Sequence, residues 1–295
     1  MCGITGILSF NQSALKFKEK VVNAINKLHN RGPENKGLYF NEHIILAHSR
    51  LSIIDTSINA SQPMSDNSGR YTIIFNGEFF NYLQYRNQLI NEGISFKTNS
   101  DTEVLLYLYI KEKEKCLNKI NGFFVFAVWD NIDKTLFIAR DRFGIKPLLY
   151  YLDDEKLIFA SEMKAILEYN IKKDIDYTSL FIYLQLTYIE SPHSIFANVK
   201  KLEAGSYILI NKDKTIINKK YFDIENIYNS RKQSSTQNYS KDDFLNIIYD
   251  AVKLRLIADV PVGAFLSGGV DSSIIVAVAS HLKPNLKTFT IGYEN

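Results

Sequence analysis

The sequence has little sulfur chemistry to offer: two cysteines, Cys2 and Cys116, in 295 residues. A disulfide framework uses more cysteines at regular spacing, so none is expected. A reducing compartment, the cytoplasm, fits best. Net charge is nearly absent too. The formal +3, with lysines spread along the chain, gives no basic patch for nucleic acid. No run approaches the ~20 apolar residues of a membrane-spanning helix, and the longest, 123–129, has strand length. The opening Met-Cys-Gly-Ile-Thr-Gly-Ile lacks a basic leader and a long apolar stretch, so no signal peptide or lipidated cysteine is expected. What remains is 46% hydrophobic and 23% charged, enough for one large domain or two ordinary ones. The 18 Tyr and 19 Phe sit mostly inside apolar runs, as core residues do.

Short apolar runs at 4–9, 44–48, 71–75, 123–129, 135–139, 148–152, 157–160 and 206–210 predict strands, with a hairpin around 130–134. Helical spacing covers 17–28, 79–91, 102–112 and 177–186, and Ser100-Asp101-Thr102-Glu103 is good helix-start chemistry. Residues 223–240 are polar, with almost nothing to bury, and read as a linker or mobile loop. A different rhythm follows: helix 241–257 with Phe244, Ile248, Val252 and Leu256 on one face, strand 262–266, helix 271–281 and strand 288–291. Strand, loop, helix, strand is the start of a doubly wound α/β sheet.

The chemistry begins at Cys2. A thiol attacks as thiolate, and an ordinary cysteine, with a pKa of about 8.5, needs a base to form one. No Cys–His pairing is visible nearby. An N-terminal residue carries its own base, because a free α-amine titrates at roughly 7.7–8.0. Removal of Met1 would give Cys2 that amine. Alone, a cysteine at position 2 means little. Around it, in order, stand Cys-Gly-Ile-Thr-Gly-Ile (2–7), Arg-Gly-Pro-Glu (31–34), Ala-His-Ser-Arg-Leu-Ser-Ile-Ile-Asp (47–55), Phe-Asn-Gly-Glu (75–78), Asn-Ser-Asp-Thr-Glu-Val-Leu (99–105), Asn-Gly-Phe-Phe-Val-Phe-Ala-Val-Trp-Asp (121–130) and Ala-Arg-Asp-Arg-Phe-Gly-Ile-Lys-Pro-Leu (139–148). Over residues 2–215 these motifs resemble the class II glutamine amidotransferases, which are N-terminal-nucleophile hydrolases. The resemblance implies an αββα sandwich of two packed sheets. It implies that Cys2 attacks the glutamine side-chain amide, with the Asn76 side chain and the Gly77 backbone N–H as oxyanion hole. Arg50 would grip the substrate α-carboxylate, and Asp101, helped by Glu78, its α-ammonium. Apart from that resemblance, Asn76-Gly77 reads as a hairpin turn after strand 71–75, Arg50 as a surface cation, and Asp101 as a helix N-cap. The family's His-Arg-Gly-Pro-Asp is here Asn30-Arg31-Gly32-Pro33-Glu34, and Phe79-Phe80 replaces a commoner Ile-Tyr. Cys116 matches no motif and reads as structural.

Leu-Ser-Gly-Gly-Val-Asp-Ser-Ser (266–273) lies between strand and helix, where glycines, backbone N–H groups and hydroxyls can face an anion. No lysine follows as in a Walker A loop. The loop resembles that of the ATP pyrophosphatases, and 260–273 as a whole resembles the glutamine-dependent asparagine synthetases. The resemblance implies ATP and Mg²⁺ as cofactors for this second part and none for the first. Ser267, Gly268, Gly269, Asp271, Ser272 and Ser273 would hold the phosphates, Asp271 would help hold Mg²⁺, and Leu266 and Ile291 would lie where adenine is packed. Glutamine hydrolysis would then supply ammonia for ATP-dependent amidation of aspartate through β-aspartyl-AMP. Partners would be small molecules, with neither nucleic acid nor membrane, and a homodimer is left open. Residues 241–295 hold only the first part of such a doubly wound α/β domain, so this chain is not expected to make asparagine alone. Two alternatives remain: the same machinery acting on a sugar-acid or peptide carboxylate, and a non-enzymatic remnant.

Overall fold

In the computed structural model the described residues are 1–232 and 240–292, with only the backbone of 231 and 232 described. They fall into two units, Met1–Ser52 with Ser57–Ile224, and Ile53–Thr56 with Glu225–Asn295.

The first unit contains β1 (Gly3–Ser9), α1 (Lys18–Lys27), β2 (Asn35–Phe40), β3 (Ile44–Arg50), β4 (Met64–Ser65), β5 (Tyr71–Phe79), α2 (Tyr82–Asn91), α3 (Asp101–Glu112), β6 (Gly122–Asp130), β7 (Thr135–Arg140), β8 (Leu149–Leu152), β9 (Lys156–Ala160), α4 (Met163–Ile166), α5 (Tyr177–Leu186), β10 (Val199–Lys201), β11 (Ser206–Ile210) and β12 (Ile216–Lys220). The strands form two six-stranded sheets, ordered β10-β8-β9-β1-β3-β2 and β12-β11-β7-β6-β5-β4. Every pairing in them is antiparallel. The hairpin at 130–134 joins β6 to β7, with Asp130 Oδ1 accepting from the Ile132 and Asp133 N–H groups.

The two sheets face each other, and the alternation of side chains sets the layers. Ile4 and Leu8 of β1, Ile44 and Leu46 of β3, and Ile74 of β5 share one cluster with Val125, Ala127, Trp129 and Ile138 of the second sheet. The intervening Ile7, Ile45 and Ala47 pack instead with Val21, Ala24, Ile25 and Leu28 around α1 and with Ala165 and Ile166 of α4. Helix α3 covers the outer face of the second sheet, where Tyr109, Phe126, Phe137 and Tyr207 stack ring to ring. The result is the αββα sandwich implied by the sequence. Because both sheet faces are covered, β1 and β3 are buried along their whole length and read as unbroken apolar runs.

In the second unit, α6 (Ile224–Lys232), which runs on from the first, is followed by α7 (Lys241–Arg255), β13 (Gly263–Phe265), α8 (Val270–Leu282) and β14 (Lys287–Phe289). Strands β13 and β14 pair in parallel, the expected start of an α/β sheet. Ser240 caps α7 in a capping box with Asp243. Of the expected apolar face of α7, Val252 is buried while Phe244 is exposed. The polar stretch 223–240 carries helix over Ile224–Lys232, with Glu225 in its first turn, and 233–239 lie outside the described residues. Strands β2, β10 and β12 have no counterpart among the runs picked out by hydrophobicity. β2 alternates half-buried with exposed, and all five residues of β12 are exposed. No helix among the described residues is long and apolar enough to cross a membrane.

Burial makes a paired prediction. Leu46 is fully buried between the sheets, while Leu38, on neighbouring β2, is more than a third exposed. Leu46→Ala is expected to cost about 2–5 kcal/mol in urea unfolding and Leu38→Ala under about 1 kcal/mol. Equal losses would contradict the layer assignment.

Candidate active site

The alternation that packs the core also assembles the site. Gly3 pairs with Ser49, so Cys2 stands at the β1 end beside Arg50, the last residue of β3. Cys2 shares the parity of Ile4, and Arg50 that of Leu46, so both belong to the face between the sheets. In β5, Asn76 and Glu78 share the parity of Ile74 and belong to the same face.

The Cys2 thiol is held by the backbone of one residue, Leu51. Sγ lies 3.4 Å from the Leu51 N–H, which donates to it, and 3.5 Å from the Leu51 carbonyl. Burial pushes the thiol's pKa up, opposed by the Leu51 bond, the chain amine and Arg50. A half-buried, largely protonated thiol needs a base to react. The Cys2 carbonyl accepts from Arg31 Nε at 2.8 Å, and Arg31 Nη1 meets Glu162 at 3.0 Å. Arg31 belongs to a motif visible in the sequence, but its grip on the Cys2 backbone is not visible there. Arg50 is buried, its Nη1 donating to the Ser57 carbonyl at 2.8 Å, so it is no surface cation.

Contrary to the expectation from sequence, Asn76 does not follow a strand, nor does Asn76-Gly77 form a turn. Strand β5 runs on through Phe79, at the expected start of a helix, because Asn76–Phe79 continue to pair with Val125–Gly122. Gly77 is required there by close approach: a Cβ would stand 2.3 Å from the Phe123 carbonyl oxygen. The ladder also orients Gly77. Antiparallel pairs alternate between bonded and non-bonded positions. Phe75 N–H donates to Gln62 Oε1 at 2.6 Å and Phe79 N–H to Asp101 Oδ2 at 3.0 Å, both away from β6. Gly77, midway between them, turns its N–H to that same edge. The Asn76 side chain is buried with neither its Nδ2 nor its Oδ1 partnered.

Asp101 is not the N-cap of α3. Ser100 is, accepting from the Glu103 N–H, and Asp101 is the first helical residue. Its carboxyl is buried, and burial drives its pKa up to about 7, with Glu78 adding to the rise and the Phe79 N–H opposing it. Two further residues are not singled out by the sequence. His48 bridges the sheets, its Nε2 donating to the Phe75 carbonyl at 3.1 Å beside Asn76, and burial holds the ring neutral, at about 3. Lys146 is buried in the field of Glu78 and Cys2, and desolvation lowers its pKa. Both lie inside quoted motifs, and only the packing of the two sheets shows that they approach the thiol's surroundings. Cys116 is fully buried and its thiol is pushed far up, as a structural cysteine's would be.

In the second unit, Gly268 has φ +81°, and a Cβ there would meet nothing within 4 Å, so the loop presents open backbone. Ser267 and Ser272 hydroxyls meet at 3.0 Å, and Ser273 Oγ donates to the Gly269 carbonyl. Asp271 lies in the first turn of α8. Leu266 N–H donates to the Phe289 carbonyl, and Ile291 is exposed beyond β14. Among the described residues no three His, Cys, Asp or Glu gather as a metal site.

A thiol at the strand end of a sandwich of two antiparallel sheets, covered by helices on both outer faces, defines the N-terminal-nucleophile class of fold. The chain belongs to the glutamine amidotransferase domain family, whose model matches residues 1–222, and residues 243–295 match the asparagine synthase family. Asparagine synthetase (glutamine-hydrolyzing) 1 of Bacillus subtilis strain 168 is 40% identical over 298 residues, covering 100% of this chain and 46% of the relative. Its asparagine synthetase (glutamine-hydrolyzing) 3 is 37% identical over 303 residues, covering 100% and 48%. Amidase chry2 of Gibberella zeae is 32% identical over 293 residues, covering 96% and 43%. The chain thus spans about half the length of these relatives. In fold it is similar to the glutamine phosphoribosylpyrophosphate amidotransferase of B. subtilis, with a TM-score of 0.56 and 19% identity over 98% of this chain and 65% of that one.

Asp101 predicts a pH dependence of stability. The folded unit holds the Asp101 proton to about 7, whereas the unfolded chain releases it near 3.8. Between those values the folded state binds more protons, so this contribution is full below about pH 4 and is lost as pH rises through about 7. Asp101→Asn is expected to flatten the fall in urea midpoint across that window. An unchanged slope would place the titration elsewhere.

Proposed function

We propose that this chain carries the glutamine-hydrolysing half of an asparagine synthetase, with Cys2 as nucleophile once Met1 is removed. The observation that carries the reading is the buried, unpartnered Asn76 amide on the same inter-sheet face as Cys2 and Arg50. An unsatisfied buried amide costs free energy unless a ligand completes it. A tetrahedral oxyanion would do so, accepting from Asn76 Nδ2 and from the Gly77 N–H turned to the free edge of β5.

The step balances within these residues. The α-amine of Cys2 takes the thiol proton, Sγ bonds to the glutamine side-chain carbonyl carbon, and the oxyanion collapses with release of ammonia, which takes the proton back. Water then cleaves the thioester to glutamate. Arg50 would fork onto the α-carboxylate. Asp101, once ionised, would hold the α-ammonium with help from Glu78. The domains proposed are 2–215 for this chemistry, 223–240 as connection, and 241–295 as part of a nucleotide-binding domain.

Membership of residues 243–295 in the asparagine synthase family supports ATP use there. Ser267, Gly268, Gly269, Asp271, Ser272 and Ser273 would face the phosphates, with Leu266 and Ile291 near the base. Magnesium usually binds through one or two carboxylates plus phosphate oxygens, so Asp271 suits it only together with a nucleotide. When bound, the nucleotide would activate a carboxylate for attack by ammonia, with aspartate as the acceptor read here. A free, reactive Cys2 suits a reducing cytoplasm. The similarity to amidase chry2 supports a second reading, in which another carboxylate receives the ammonia.

Treatment with a glutamine-like electrophile is expected to place one adduct on Cys2 of a chain lacking Met1, read by peptide mass spectrometry. Retained Met1 in the labelled, active protein, or ammonia release that survives Cys2→Ala, would overturn the assignment. Arg50→Ala is expected to weaken glutamine binding by about 2 kcal/mol or more, roughly 30-fold, while iodoacetamide still labels Cys2. The KM for glutamine is expected to rise as pH falls below about 7, where Asp101 takes up its proton.

A further inference from the structure

The end of the sandwich opposite Cys2 holds a cavity of about 380 Å³. Strand β1 runs from Cys2 at one end to Ser9 in this cavity, about 23 Å away at ~3.3 Å per residue. Residues Leu8, Phe10, Trp129 and Ile132 make its apolar wall, and His43, Lys134, Lys212 and Lys214 its polar one, with no carboxylate in the lining. Lys134 and Lys214 reach amide oxygens, Asn131 Oδ1 and Asn11 Oδ1, rather than acids. Asp213, between two of the lysines in sequence, is turned to the Thr215 N–H. Two buried polar atoms on lining residues have no partner: Ser9 Oγ and the Trp129 indole N–H. Such groups are rare in folded proteins and each costs free energy. The exposed His43 ring lies tilted against the indole, with centroids 6.3 Å apart.

We propose that this cavity is a second ligand site, separate from the glutamine site, for a small organic anion with a flat unsaturated body and a carboxylate or phosphate head. The lysines attract the head. The body lies against the Phe10 side, and acceptor oxygens reach Ser9 Oγ and the Trp129 N–H, both closed from solvent in this structure, once the side chains over them, the His43 ring among them, are displaced. A cationic, acid-free lining selects an anion. Apolar walls and two unmet donors select an organic anion over a bare inorganic one.

Trp129 is the chain's single tryptophan, so intrinsic fluorescence reads this cavity directly. The full chain would be titrated with benzoate and with phenyl phosphate, which share a flat body and differ in head group. Cyclohexanecarboxylate and inorganic phosphate at matched ionic strength are the controls. A saturable change in Trp129 emission with benzoate or phenyl phosphate is expected, with the stronger of the two naming the head group, and neither control should match it. The Lys212→Gln/Lys214→Gln double variant is expected to weaken that binding about tenfold, the loss of two exposed charge contacts. Glutamine hydrolysis should be unchanged in that variant, and prior alkylation of Cys2 should leave the titration unchanged. No saturable signal with either probe, full affinity in the double variant, or abolition by Cys2 alkylation would each overturn the proposal.

Discussion

The site depends on one geometric constraint, the alternation of side chains along strands whose two faces are both covered. Such a strand decides only which way each residue points, not whether it is buried. In the middle of the sandwich the inter-sheet positions are Ile4, Leu46 and Ile74. At one end the same parity delivers Cys2, Arg50 and Asn76. The rule that packs the core therefore sets polar groups in desolvated ground. Desolvation is the leading influence on the Cys2 thiol, the Asp101 carboxyl, the His48 ring and Lys146 alike. Each is pushed toward its neutral form, so charge at this end is stable only when paired with other charge or with a bound molecule.

Much of the sandwich is legible in the sequence because its central strands are buried on both faces. The runs at 4–9, 44–48, 123–129 and 206–210 coincide with β1, β3, β6 and β11 to within two or three residues. What is not legible is hidden for physical reasons. Strand β12 is exposed throughout and carries no apolar signal. Phe79 fits a helical pattern because it precedes α2, yet cross-strand pairing with Gly122 holds it in β5. Local chemistry marks Asp101 as a cap, since a carboxylate before a helix usually is one. Neighbouring Ser100 takes that role, leaving Asp101 free to receive the Phe79 N–H. The grip of Arg31 on the Cys2 carbonyl and the bridge from His48 to Phe75 join residues 29 and 27 positions apart, beyond what local pattern can show.

The second unit shows the reverse balance. Its order of elements is legible, since glycines and a polar turn mark the passage from β13 to α8. Its packing is not, because a two-stranded parallel sheet offers little to bury against. Phe265 and Phe289 meet ring to ring at 6.3 Å and still remain mostly exposed. In its helices, Val252 of α7 and Ala279 of α8 are the buried residues among those described.

The contrast between the two thiols has a consequence for oxidative chemistry. Cys2 is half-buried at a strand end, whereas Cys116 is fully enclosed beyond α3. An oxidant that converts Cys2 to a sulfenic acid meets no accessible second thiol in the same folded chain to condense with. Disulfide rescue must then come from a thiol outside this chain, and unprotected sulfenic acid is open to oxidation to irreversible acids. The burial that keeps this thiol protonated also slows its oxidation, so a base that prepares Cys2 for attack prepares it for peroxide as well.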